Sequence, residues 1–120
     1  MESYISGTTI PEFVDHLVLG AERKPMSFEL ELTARCNNDC RHCYINLPAG
    51  DKEAQQKELT IDQISHIADQ AVELGALWCL LTGGEPLLRE DFSDVYLLLK
   101  KNGLLMSVFT NAYLLTQKHI

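Results

Sequence analysis

The run Ala76-Leu77-Trp78-Cys79-Leu80-Leu81 is almost continuously apolar, only as long as a strand, and closes on Thr82-Gly83-Gly84-Glu85-Pro86. A stretch that short and that apolar reads as a parallel strand buried on both faces, and parallel strands need long crossovers, usually helical. The flanking sequence supplies them. Upstream, Thr60 stands three residues before Gln63 in a capping-box pattern, and Ile64, Ile67, Ala68, Ala71 and Leu74 recur at helical spacing. Gly75 then stops that helix as a C′ residue. Downstream, Glu90, Asp91 and Asp94 lie at the start of a second helix and Lys100 and Lys101 near its end, matching the dipole, with Phe92, Val95, Tyr96 and Leu99 on its inner side.

Two further strands complete the pattern. Ser27-Phe28-Glu29-Leu30-Glu31-Leu32 alternates apolar and acidic residues and runs into a cysteine-rich loop, while Leu104-Leu105-Met106-Ser107-Val108-Phe109-Thr110 follows the second helix. Thr116 to Ile120 reads as the first turn of a third helix. Strand, loop, helix, strand, helix, strand implies right-handed crossovers and an α/β fold, a parallel sheet with outer helices. Residues 1–26 form a lead-in, in which Thr9 and Pro11 open a short helix with Phe13, Val14, Leu17 and Val18 on one face; residues 27–120 form the core unit. Asn46 to Glu58, polar and interrupted by Pro48 and Gly50, reads as a long surface excursion without internal periodicity.

A length of 120 residues with 46% hydrophobic content suits one globular domain. A net charge of -7, with no basic cluster beyond Lys100-Lys101, argues against a nucleic-acid partner, which requires a concentrated positive field. The opening MESYISGTTIPEFVDHL has neither a basic start nor an unbroken apolar stretch, so no secretory signal and no membrane span are expected and the cytoplasm is the expected compartment.

Cys36, Cys40 and Cys43 lie within one short polar loop, a spacing that suits metal ligation better than disulfide stapling. Three local thiolates leave one iron of a four-iron cube without a protein ligand, and that open corner can take a small molecule. Two other metal sites use the same residues. A structural zinc site would be completed by His42, although adjacent side chains usually point apart, and an ordinary electron-transfer cluster would recruit Cys79. Cys79 lies about 13 Å below the end of its strand at 3.3 Å per residue, so it reads as a small buried apolar side chain. Gly83 and Gly84 leave room for a ligand to approach the backbone at the C-terminal strand end, where parallel sheets bind ligands. A plain strand-to-helix turn uses the same doublet. Asn111 ends the third strand on this rim, where it fixes the following turn or bonds a ligand.

Cys36, Cys40 and Cys43 in a CxxxCxxC pattern, together with Gly83-Gly84-Glu85-Pro86, resemble the N-terminal half of a radical S-adenosylmethionine (SAM) enzyme over residues 27–120. Thr110-Asn111-Ala112 is similar to the Thr-Asn-Gly often found after the third strand of that superfamily. The resemblance implies a [4Fe-4S] cluster on the three thiolates, SAM chelated to the fourth iron, and reductive cleavage to a 5′-deoxyadenosyl radical. It implies that Gly83, Gly84, Glu85 and Pro86 meet the amino end of SAM, with His42 beside the adenine and Asn111 among the cofactor contacts. It further implies a reductant such as flavodoxin or ferredoxin and a peptide or small-molecule substrate.

The superfamily usually builds a partial (β/α)6 TIM-like barrel, and about two and a half units are present here, so the chain is expected to be a truncated core with one exposed sheet edge near Val108 and Phe109. The cysteine context resembles SPASM-type members, which carry an auxiliary-cluster domain. The competing expectations are a noncatalytic metal-binding or electron-transfer module, or an inactive fragment of a longer enzyme.

Overall fold

The structure is a computed structural model and describes residues 25–45 and 47–119. The expected helix beginning near Thr9, and nearly all of the lead-in, lie outside the described residues. In chain order the elements are β1 (Ser27–Glu31), β2 (Arg35–Cys36), β3 (Leu47–Pro48), α1 (Lys52–Gln56), α2 (Ile61–Glu73), β4 (Trp78–Thr82), α3 (Phe92–Lys101) and β5 (Leu105–Val108). Short 3-10 turns occupy Pro86–Leu88 and Gln117–His119.

β1, β4 and β5 form one parallel sheet in that order, as the alternation of strands and helices predicts. Its register aligns Phe28 with Cys79 and Met106, and Leu30 with Leu81 and Val108, so these six side chains share one face. Cys79 and Leu81 are fully buried there together with Ile64 and Ala68 of α2 and Val95 and Leu99 of α3. Leu81, Ile64, Val95 and Leu99 each contribute about 1.5–3 kcal/mol by leaving water.

The opposite face carries Glu29 and Glu31, Trp78, Leu80 and Thr82, and Leu105 and Ser107. Trp78 is 47% exposed and Leu105 is 50% exposed, so the expected burial of β4 on both faces is corrected to burial on one. Right-handed crossovers in a sheet that grows in a single direction put both helices on the same side. Glu29 and Glu31 consequently belong to the helix-free face.

α2 starts as its sequence demands: Thr60 accepts from the Gln63 amide at 3.2 Å, and Gln63 returns the bond from the Thr60 amide at 2.9 Å. Gly75, at φ 97°, takes the left-handed position beyond its end. The excursion expected over Asn46 to Glu58 is corrected, because it contains β3 and α1. Asp51 caps α1 by accepting from the Ala54 amide at 2.8 Å, and Glu53 pairs with Lys57 one turn on at 2.6 Å. These local bonds hold a helix too short to show periodicity.

α3 begins as its sequence expects, with Asp91 at its N-terminus, Asp94 in the first turn and Lys100 and Lys101 in the last. Asp91 makes no cap bond; its carboxylate takes the buried Arg89 guanidinium in a two-pronged pair at 2.8 and 2.7 Å. Arg89 continues to the carbonyls of Leu32 at 3.2 Å and Leu59 at 2.8 Å, tying the start of α3 to β1 and α2. The Arg89 bond holds the Asp91 carboxyl below its ordinary 3.8, against an opposing push from burial. A carboxylate lowered on folding stabilises the fold above its unfolded value, and that stability is lost as pH falls through the folded value. Acid unfolding followed by circular dichroism should show native chain losing stability below about pH 4, with Asp91→Asn less stable at pH 7 and less sensitive over that window.

Candidate functional site

The last residue of β1 leads directly to the cysteine loop. Beyond Glu31 the chain stays in register for one more bond, Leu32 amide to Thr82 carbonyl at 2.9 Å, and then crosses over the glycine doublet. The Gly84 amide donates to the Thr33 carbonyl at 2.7 Å and the Glu85 amide to the Arg35 carbonyl at 2.8 Å. A Cβ on Gly83 would meet the Thr33 backbone, with its amide nitrogen at 3.1 Å, and one on Gly84 would meet the Arg35 carbonyl carbon at 2.7 Å. Gly83 also sits at φ 139°. The doublet is therefore required by a close approach of two backbones, in addition to any ligand.

The cysteine loop leaves and re-enters through a narrow neck. β2 pairs with β3 in parallel, aligning Arg35 with Leu47 and Cys36 with Pro48. Within the loop, the Cys43 amide donates to the Cys40 carbonyl at 3.0 Å, a tight turn that brings those two cysteines onto one short arc. Cys36 is half-buried, whereas Cys40 and Cys43 are exposed, and all are free thiols. The Asn38 amide donates to Cys36 Sγ at 3.4 Å. Cys43 Sγ donates to the Ile45 carbonyl at 2.7 Å.

Among the described residues no three of the His, Cys, Asp or Glu side chains converge on one point as a metal cage. The donor set nonetheless fits an iron–sulfur cluster: three thiols within one short loop, Cys40 and Cys43 exposed and Cys36 half-buried at its neck, Cys36 already receiving an amide, none tied in a disulfide. Gathering them requires Cys43 to exchange its bond to Ile45 for metal.

Glu85 is fully buried and acts as the joint between β4 and β5. Its Oε1 accepts from the Leu87 amide at 2.9 Å and the Thr110 hydroxyl at 2.7 Å, and its Oε2 accepts from the Asn111 amide at 2.8 Å. Both carboxylate oxygens are thus committed inside the protein. Pro86, also buried, opens the 3-10 turn that follows. Asn111 serves the turn through its Oδ1, which accepts from the Tyr113 amide at 3.0 Å, and reaches the cysteine loop through its Nδ2, which donates to Asn37 at 2.8 Å. His42 is exposed on the loop beside Cys43. Tyr44 donates to Glu31 at 2.9 Å, drawing the loop over the helix-free face, and that bond with its like charge pushes the phenol pKa up. Cys79 lies inside the sheet, its thiol pushed up to about 11 by burial, as expected of packing rather than ligation.

Thr33, Arg35, Asn37 and Glu58 were not marked by the sequence. Their partners lie far along the chain, so no local spacing announces them. Ala112 is a different case, since at φ 60° it occupies the left-handed region where its counterpart in the Thr-Asn-Gly pattern is glycine. Ala112→Gly should stabilise the chain by about 0.5–1 kcal/mol, read from urea unfolding.

Residues 30–120 match the family model described as the Radical SAM superfamily. The chain is 36% identical over 96 residues to an AdoMet-dependent heme synthase of Methanosarcina barkeri, covering 77% of this chain and 26% of that protein. It is 33% identical over 94 residues to a probable GTP 3′,8-cyclase of Methanococcus maripaludis, covering 78% and 31%, respectively. A GTP 3′,8-cyclase of Photorhabdus laumondii is 35% identical over 94 residues, covering 76% and 28%. The chain thus spans between 26% and 31% of the length of these curated relatives.

Proposed function

The chain belongs to the radical SAM superfamily, and on that premise we propose that Cys36, Cys40 and Cys43 hold a [4Fe-4S] cluster that binds SAM for reductive cleavage to a 5′-deoxyadenosyl radical. When bound, the cluster supplies one low-potential electron to a carbon–sulfur bond of the sulfonium, chemistry that no side chain provides. The single observation carrying this reading is that the backbone entering the cysteine loop lies on Gly83 and Gly84, joined by the Gly84 and Glu85 amides at 2.7 and 2.8 Å.

The residues divide the work by what they have left to offer. Glu85 has both oxygens engaged by internal donors, so its part is to hold the strand tips together, and the backbone of the Gly83-Gly84-Glu85-Pro86 turn would meet the amino end of SAM. Asn111 fastens the third strand to the loop through Asn37. His42 presents an exposed imidazole for the adenine. Glu29, Glu31, Thr82 and Ser107 line the helix-free face, the side on which a closing barrel would exclude water from a radical. A reductant of the flavodoxin or ferredoxin kind and a peptide or small-molecule substrate complete the proposed reaction in the cytoplasm; among the described residues no helix is long and apolar enough to cross a membrane.

Anaerobic reconstitution with iron and sulfide tests the ligand set. The chain should take up about four irons with matching sulfide, Cys36→Ala, Cys40→Ala and Cys43→Ala should each lose the cluster, and Cys79→Ala should keep it. A colourless protein that prefers zinc and ignores SAM would instead identify a structural metal module.

A further inference from the structure

We infer that Thr33, Arg35 and Glu58 form a polar clamp that closes the neck of the cysteine loop and positions Cys36 for cluster binding, an inference that rests on the cluster assignment above. Arg35 immediately precedes Cys36 yet is 7% exposed, an expensive place for a guanidinium unless its donors are met. They are met across the neck. Arg35 Nε donates to Glu58 Oε1 at 2.7 Å and Nη1 donates to the Ala49 carbonyl at 2.9 Å. One planar side chain therefore joins the strand that enters the loop to the residue just beyond the strand that leaves it.

Thr33 closes the cluster from below. Its hydroxyl donates to the same Glu58 oxygen at 2.6 Å and accepts from the Arg35 amide at 3.0 Å. Glu58 itself is 12% exposed and follows α1, so the fold of that short helix sets where the clamp is anchored. The backbone of these residues is meanwhile held by the amides of Gly84 and Glu85 on its other side. Cys36 is thus fixed from two directions, while Cys40 and Cys43 lie on the exposed arc. Fixing the two ends of a loop removes closure entropy that would otherwise oppose gathering its three thiolates.

The clamp is also a matched pair of charges one residue from a metal ligand. Neutralising Glu58 leaves the Arg35 charge uncompensated and should raise the cluster's reduction potential, whereas neutralising Arg35 leaves the Glu58 charge and should lower it. Lysine at position 35 keeps the charge but cannot span both acceptors with a planar fork.

The test uses the full chain with Glu58→Gln, Arg35→Gln, Arg35→Lys and, as a control, Glu73→Gln at the exposed end of α2. In the metal-free protein, hydrogen exchange at amides 36–45 should speed about tenfold or more in the three clamp variants and stay unchanged in the control. After reconstitution, the clamp variants should release iron to a chelator about tenfold faster, and the two neutralising variants should shift the potential in opposite directions. Thr33→Val, which removes only the hydroxyl, should show the same exchange change in smaller measure and serves if an Arg35 variant fails to fold. Native exchange, iron retention and potential in these variants, with the parent chain loaded, would overturn the clamp and leave the cluster assignment standing. Failure of the parent chain to load any cluster would overturn both.

Discussion

Gly84→Ala should cost about 3–4 kcal/mol of folding stability, a large part of what a domain of this size has. The new Cβ would collide with the Arg35 carbonyl oxygen, lie 2.7 Å from its carbon and 3.0 Å from the Ala34 oxygen, and all of these are backbone atoms with no rotamer to escape into. Relief requires the two chains to separate, which breaks the Gly84-to-Thr33 and Glu85-to-Arg35 bonds. Gly50→Ala is the matched control, because a Cβ there meets nothing within 4 Å, and it should move stability by less than about 0.5 kcal/mol. Urea unfolding monitored by circular dichroism reads both. An equal, small effect for the two substitutions would show that the doublet is free of the cysteine strand and that the shared rim is not as described.

Glu85→Ala should be similarly damaging, by about 3–5 kcal/mol, for a different reason. The carboxylate is fully buried and meets three donors, and its loss leaves the Leu87 and Asn111 amides and the Thr110 hydroxyl without their partner. Glu85→Gln keeps the size and one acceptor oxygen but turns an amide toward a donor, so a smaller loss of about 1.5–3 kcal/mol is expected. The effect should be local as well as global. Hydrogen exchange ought to rise first at Asn111 and in the cysteine loop that Asn111 holds through Asn37, and only then in α2. Unchanged exchange at Asn111 in a folded Glu85→Ala chain would remove Glu85 as the joint between strand tips.

The parts of this molecule that were legible in the sequence are those specified by neighbours in the chain. The capping box at Thr60, the glycine stop at Gly75 and the three parallel strands follow from local chemistry and periodicity, and the structure has them. Helix α1 escaped because five residues cannot display an amphipathic period, although Asp51 and the Glu53–Lys57 pair carried its signal. The one-sided burial of β4 escaped because an apolar run records only that a strand is apolar, not which of its faces a helix covers.

In the site, the cysteine spacing and the glycine doublet were visible, but the reason for the doublet was not. A glycine that admits a ligand and a glycine that admits a second backbone look identical in one dimension, and here Thr33 and Arg35 supply the second backbone. Asp91 stands at the helix start where the sequence places it, but its two-pronged pairing with Arg89 had no signal in the spacing. Side chains whose partners are 23 or more residues away, such as Arg35 with Glu58 or Thr110 with Glu85, leave no trace in spacing at all.

The most direct test of the central claim is the electron paramagnetic resonance spectrum of the reconstituted, dithionite-reduced chain, recorded with and without SAM. Binding of SAM to the open iron should shift the g values of the reduced cluster, and a Cys40→Ala chain, which should load no cluster, should show no such signal with or without SAM. A reduced [4Fe-4S] signal that is identical with and without saturating SAM would mean that the cluster has no open corner facing the Gly83-Gly84 turn, and would contradict the account.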